Sequence, residues 1–177
     1  MKRVGFVFLT LLIAAAAQGI KMTALEDFEH RFEAELAKTT PPYPFEVLTP
    51  SPAIHAPGMG VMLSSVVNLS YVDPLSPFHQ SYSPKELAVI HERKLARVPV
   101  LERHMREVLA DTATSPGLDQ IPPTERIVLG VSLFYFSWEN TEGLPRQIVM
   151  SAEKQALLKA RRDKKVDLAS VIQEQKL

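Results

Sequence analysis

The chain has 177 residues, 46% hydrophobic and 23% charged, with a formal net charge of zero. That composition suits a globular protein with a core of its own, and the balanced charge gives no electrostatic footprint for DNA or RNA. There is no cysteine, which excludes disulfides, thiolate nucleophiles, cysteine-ligated zinc, iron–sulfur clusters and a lipidated cysteine anchor.

Residues 1–17 read as a signal peptide. Lys2 and Arg3 form a positive start, Val4 to Ala17 is an apolar run of 14 residues, and Ala15-Ala16-Ala17 offers a cleavage site before Gln18. The run is short for a membrane span, which needs about 20 apolar residues. Weakly apolar sequence continues to Ile20, so an uncleaved anchor is the alternative. Either way the body is expected outside the cytoplasm, in the periplasm or on the extracytoplasmic face of the membrane. Residues 18–43 then read as an N-terminal helix and linker, and 44–177 as a single α+β domain.

Met22 to Lys38 predicts a helix, because Leu25, Phe28, Phe32 and Leu36 recur at three- and four-residue spacing. Thr23 and Glu26 fit a capping box, and Pro41-Pro42 would stop the helix. Phe45 to Thr49 predicts a short edge strand, and Pro57-Gly58-Met59-Gly60 a turn. Val61 to Val72 alternates, with Val61, Leu63, Ser65, Val67, Leu69 and Tyr71 on one face. Ser83-Pro84-Lys85-Glu86 is the sharpest local signal, an N-cap, a first-turn proline and a capping-box glutamate in sequence. The helix it opens carries Leu87, Ile90, Leu95, Val98, Leu101, Met105, Val108 and Leu109. Pro99 within it predicts a kink, or two helices meeting near Val98.

Ile127 to Trp138 predicts a strand apolar on both faces, as in sheets covered on both sides. One face is Ile127, Leu129, Val131, Leu133 and Tyr135; the other is Val128, Phe134, Phe136 and Trp138. The cover on the second side would be another subunit or the first helix. Arg146 to Ser151 predicts a further strand, and Ala152–Arg161 and Leu168–Gln175 two C-terminal helices. The order implies a small mixed α+β sheet of three to four strands. The long helix is a crossover that sets its flanking strands parallel, and the last two strands pair antiparallel.

Catalytic equipment is sparse. Glu139, Asn140 and Glu142 lie close in the loop after Trp138, but the spaced oxygen series of a calcium loop is absent, and Asn, Thr and Gly are what a turn demands. Of His30, His55, His79, His91 and His104, none pair at metal-ligand spacing: His91-Glu92 begins like H-E-x-x-H, yet Leu95 stands where the second histidine belongs. Solvated helix faces are the expectation for His91 and His104. No G-x-S-x-G elbow occurs, and Ser64 and Ser65 lie within a strand. Gly58 and Gly60 lack the third glycine and the lysine of a phosphate loop. Asn68-Leu69-Ser70 matches a glycosylation sequon by chance, mid-strand. No metal or cofactor set is recognisable. The basic residues Lys154, Lys159, Arg161, Arg162, Lys164 and Lys165 suit a helix C-terminus, or contact with anionic lipid or an acidic partner.

The stretches IHAPGMGVMLSSVVNLSYV, IPPTERIVLGVSLFYF and GLPRQIVMSAEKQALL, with the capped helix between the first two, resemble small exported bacterial proteins of unassigned function. The resemblance spans residues 54–175. It implies export and a shared fold, and it carries no catalytic residue. The leading expectation is an exported, non-enzymatic binding or assembly module with an envelope protein as partner. One rival is an envelope hydrolase whose carboxylates, Glu139, Glu142 and Asp73, gather in the fold. Another is a membrane-anchored regulator that meets lipid through residues 1–20 or the basic segment 154–165.

Overall fold

A computed structural model describes residues 20–38, 45–49, 52–72, 81–163 and 166–177. The proposed signal or anchor, Asp73, His79, Lys164 and Lys165 lie outside them. Among the described residues no helix is long and apolar enough to cross a membrane.

The fold is α+β, and the described residues form four helices and a six-stranded mixed sheet. In chain order the elements are α1 (Met22–Ala37), β1 (Glu46–Thr49), β2 (Ala53–Ala56), β3 (Gly60–Asn68), α2 (Pro84–Ala113), a 3-10 turn (Pro116–Leu118), β4 (Arg126–Leu133), β5 (Gln147–Glu153), α3 (Lys154–Arg162), α4 (Leu168–Val171) and β6 (Gln173–Lys176). The sheet runs β1-β3-β4-β5-β6, and β2 pairs with β3 beyond β1 on the same flank. β3 and β4 are parallel, from Gly60 opposite Arg126 to Val67 opposite Leu133. The other pairs are antiparallel. α2 therefore is the crossover that a parallel pair requires.

The expected three to four strands become six because β2 and β6 were not foreseen. β2 forms a hairpin with β3 around Pro57-Gly58-Met59. β6 replaces the end of the predicted helix over Leu168–Gln175: α4 stops at Val171, and Gln173–Lys176 pairs with β5. Its sequence, Gln-Glu-Gln-Lys, has no apolar alternation. The β5 backbone and two ion pairs hold it instead, Glu174 to Arg106 at 2.6 Å and Lys176 to Glu102 at 2.6 Å.

One sheet face is closed. Val61, Leu63, Val67, Ile127, Leu129, Val131, Ile148 and Met150 share a single core with Phe28, Phe32 and Leu36 of α1, Leu101, Met105 and Leu109 of α2, and Leu157 of α3. The opposite face is not covered as the double-apolar pattern suggested: Met62 and Ser64 are exposed, and Val66, Val128, Ser132, Val149 and Ser151 half-buried. β4 also ends at Leu133, not Trp138. Beyond the strand, Phe134 meets Phe136 edge to face at 5.0 Å between ring centroids, Phe136 stacks on Trp138 at 5.1 Å, and Trp138 continues onto Tyr82 at 4.8 Å. Each such pair adds about 0.5–1.5 kcal/mol beyond area burial, so the aromatic run fastens the strand exit to the start of α2.

The helix starts divide sharply. At α2 the capping box forms as expected: Glu86 N–H donates to Ser83 Oγ at 3.3 Å, and Ser83 N–H donates to Glu86 Oε2 at 2.7 Å. At α1 the Thr23–Glu26 box is absent, because the N-cap is Lys21, two residues before Thr23. α2 continues through Pro99 as one helix of 30 residues. Pro99 and Leu95, whose carbonyl loses its helical donor, both lie on the exposed side of the helix.

Candidate functional site

The connection from β4 to β5 holds the carboxylates that a hydrolase would need. Glu139 does not face solvent there. Its side chain is 2% exposed and pairs with Lys94 Nζ, itself 0% exposed, at 2.6 Å. The Phe136 N–H also donates to Glu139 Oε1, at 3.1 Å. Lys94 lies on the inner stripe of α2, between Ile90 and Val98. The apolar pattern had nominated Leu95, which the structure leaves exposed. A buried ammonium demands a partner, and the loop brings one. Burial pushes the Lys94 ammonium below its ordinary range, and the hydrogen bond and charge of Glu139 pull it partly back. The ammonium lies 5.2 Å above the Tyr135 ring. Burial, with the Glu139 charge beside it, pushes the Tyr135 phenol well above its ordinary value. Its hydroxyl donates to the Pro145 carbonyl at 2.8 Å.

Glu142 stands apart. It is exposed, and its N–H donates to Asn140 Oδ1 at 3.0 Å, an Asx turn followed by Gly143 at φ 72°. His91 Nδ1 donates to the Asn140 carbonyl at 2.9 Å. Asn140, Glu142 and Gly143 thus make the turn, while Glu139 anchors it to α2. A cavity of about 450 Å³ beside the loop is lined by Val66, Leu133, Phe134, Tyr135, Glu139 and Arg146. Glu142 does not line it, so Glu139 and Glu142 are not brought together as an acid–base pair, and Asp73 lies outside the described residues.

The remaining predicted residues scatter. Lys154 is buried, not a solvated basic residue: its Nζ donates to the carbonyls of Leu118 at 2.7 Å and Ile121 at 3.0 Å, tying α3 to the 3-10 turn. Arg161 pairs with Asp111 of α2. Lys159 and Arg162 stay exposed. Asn68 is 2% exposed and donates to Glu46 Oε2 at 3.1 Å, which closes the sequon to a glycan. His55 Nε2 lies 3.0 Å from Glu125 Oε2, whose other oxygen accepts the Gly58 N–H at 2.8 Å.

One grouping was missed. His104 is not on a solvated face: it is 7% exposed, and its Nδ1 lies 3.0 Å from Oε1 of Glu35, which is 6% exposed. Glu107, one turn along α2, brings a carboxylate to the same place, so that one donor atom from each of Glu35, His104 and Glu107 lies within 4.8 Å of the others. Among the described residues this is the group able to hold a metal. The signal in the sequence was the His-x-x-Glu spacing of His104 and Glu107, which alone is too common to read; its third member is far away on α1. No family model, curated protein or solved structure matches the chain.

Proposed function

We propose that the chain is an exported, non-enzymatic binding or assembly module of the cell envelope. The observation that carries the non-enzymatic part is the state of Glu139. The loop carboxylate that lines a cavity is engaged by a buried lysine and a backbone N–H, and its side chain lacks the solvent exposure of a general base. Lys94 and Lys154 are engaged in the same way, as ties between elements. The export part rests on Lys2-Arg3, the apolar run from Val4 to Ala17 and the alanines that end it.

The surface offered to a partner is the sheet face turned away from the helices. It mixes Met62, Val66, Val128 and Val149 with Ser64, Ser132 and Ser151. Its charged members include Glu153 and, opposite it in the register, Arg126, whose guanidinium is bonded to Ser151 Oγ at 2.8 Å and Gln173 Oε1 at 2.6 Å. A flat, weakly polar face of this kind suits a protein surface better than a polyanion or a lipid head group.

Two measurements test the reading. Expression in a bacterium, fractionation and intact mass should give a soluble envelope product that starts near Gln18. A full-length product in the membrane fraction would shift the reading to an anchored regulator, and one in the cytoplasm would remove export. A photo-crosslinker at Ser64 should capture one defined envelope protein. The same crosslinker returning only monomer, while hydrolysis of envelope polymers is detected and lost in Glu139→Gln, would reverse the assignment.

A further inference from the structure

We propose that Glu35, His104 and Glu107 form a binding site for a first-row divalent cation, zinc foremost, at the junction of α1 and α2. The inference is independent of the partner surface on the sheet.

Convergence comes first. The three residues come from two helices, and a donor atom of each lies within 4.8 Å of the other two. His104 and Glu107 are three apart on α2, so they share a face, and that face meets Glu35 of α1. A cation about 2 Å from each donor needs only a small inward rotation of the side chains.

Burial is the second point. Glu35 is 6% and His104 7% exposed, and the less buried Glu107 completes the group from the solvent side. A carboxylate oxygen of Glu107 lies within 4.8 Å of one of Glu35. Two carboxylates at that separation repel unless a proton or a cation lies between them. Lys38 fills part of that role, with Nζ bonded to Glu35 Oε2. But the Lys38 side chain is 66% exposed, so it is a single charge on a tether that can swing into water.

The third point is the imidazole. Nδ1 of His104 is engaged by Glu35, while Nε2 is buried and has no hydrogen-bond partner. Nδ1 of His104 and Oε1 of Glu35, 3.0 Å apart, stand at about the separation of two ligands on one tetrahedral ion, so Nδ1 is the nitrogen that would take it. The buried Nε2 then carries the ring's N–H.

The donor set defines the ion. Calcium and magnesium call for six or more oxygens. One imidazole and two carboxylates suit zinc and its neighbours, and three protein ligands leave a fourth position for water. The ion would staple α1 to α2 by replacing the mobile Lys38 ammonium with a fixed double charge.

The test titrates the purified full-length chain with zinc chloride by calorimetry, and with cobalt(II) by visible absorption. One equivalent of zinc should bind, and cobalt should develop d–d bands that zinc then bleaches. Glu107→Gln should weaken binding by at least about tenfold, the lower end of what even second-sphere losses cost. Lys38→Met, which removes the competing ammonium, should tighten it. His104→Gln should abolish it; should that variant fail to fold, Glu107→Gln and Lys38→Met decide. Absence of saturable binding in the wild type overturns the proposal. So does zinc affinity unchanged in Glu107→Gln, since the ion would then sit elsewhere.

Discussion

In the turn before β3, Glu125 accepts the Gly58 N–H and faces His55; in the β4–β5 connection, Glu139 accepts the Phe136 N–H and the Lys94 ammonium. The device is the same: one carboxylate binds a loop N–H and a basic side chain from another element. The depth differs. The side chains of His55 and Glu125 are 13% and 9% exposed, those of Lys94 and Glu139 0% and 2%. Water can reach the first pair and stand in for a lost partner. The second pair is far more closed to it, so there each charge depends chiefly on the other.

The largest effect sharpens the first turn as geometry, not electrostatics. Gly60 adopts φ 121°, and a Cβ on it would stand 1.9 Å from the Arg126 carbonyl oxygen, where β3 and β4 begin to pair. Gly60→Ala should lose about 5 kcal/mol or fail to fold, beyond the usual range of point substitutions. A cooperative urea transition near that of wild type would contradict the close approach.

Next comes the buried pair. Glu139→Gln and Lys94→Met should each lose about 3–5 kcal/mol, because each strands a buried charge. The double variant should recover much of the loss. Additive losses in a double-mutant cycle would mean that the two charges are separately hydrated.

The shallower pair should lose about 1–3 kcal/mol in Glu125→Gln, the range for an unsatisfied buried hydrogen-bonding group. Here pH sharpens the contrast. Burial alone would raise the Glu125 carboxyl, but the Gly58 N–H and His55 hold it below its ordinary 4.5. A carboxylate depressed on folding adds stability that is complete above its unfolded value and fades as pH falls through its folded one. The gap between wild type and Glu125→Gln, followed by urea denaturation, should therefore be constant above about pH 5 and close under more acid conditions. A gap that widens on acidification would reverse the sign of the linkage.

The smallest effect is at Gly58. It also has a positive φ, 81°, but nothing lies within 4 Å of a Cβ built there. Gly58→Ala should lose only about 1–2 kcal/mol, the strain of a left-handed backbone. A loss equal to that of Gly60→Ala would show that conformation, not the clash with Arg126, governs this turn.

What the sequence made legible was local. Ser83 and Glu86 are three apart, and their capping box forms as read. The alternation from Val61 to Val72 and the apolar run from Ile127 to Trp138 located the two parallel strands, which end earlier, at Asn68 and Leu133, since each pattern depends on neighbours along the chain. What failed was long-range. Lys94 reads as a break in the α2 stripe until Glu139, 45 positions later, arrives to neutralise it. Glu35 and His104 are 69 positions apart. β6 has no pattern of its own, because its order comes from the β5 edge and from α2. Of the two outcomes read from Pro99, a kink or two helices, the second does not occur, because α2 runs on through it.

β1 and β2 lie end to end along β3, each four residues long, with a shift in register between Val47 and Thr49. The chain between them includes Pro50 and Pro52, and proline has no N–H to offer a neighbour. A single unbroken strand on that flank would be a template for stray chains to dock and grow upon. Cut in two and set out of step, it presents no more than four consecutive residues, which guards a concentrated solution of the protein against fibril seeding.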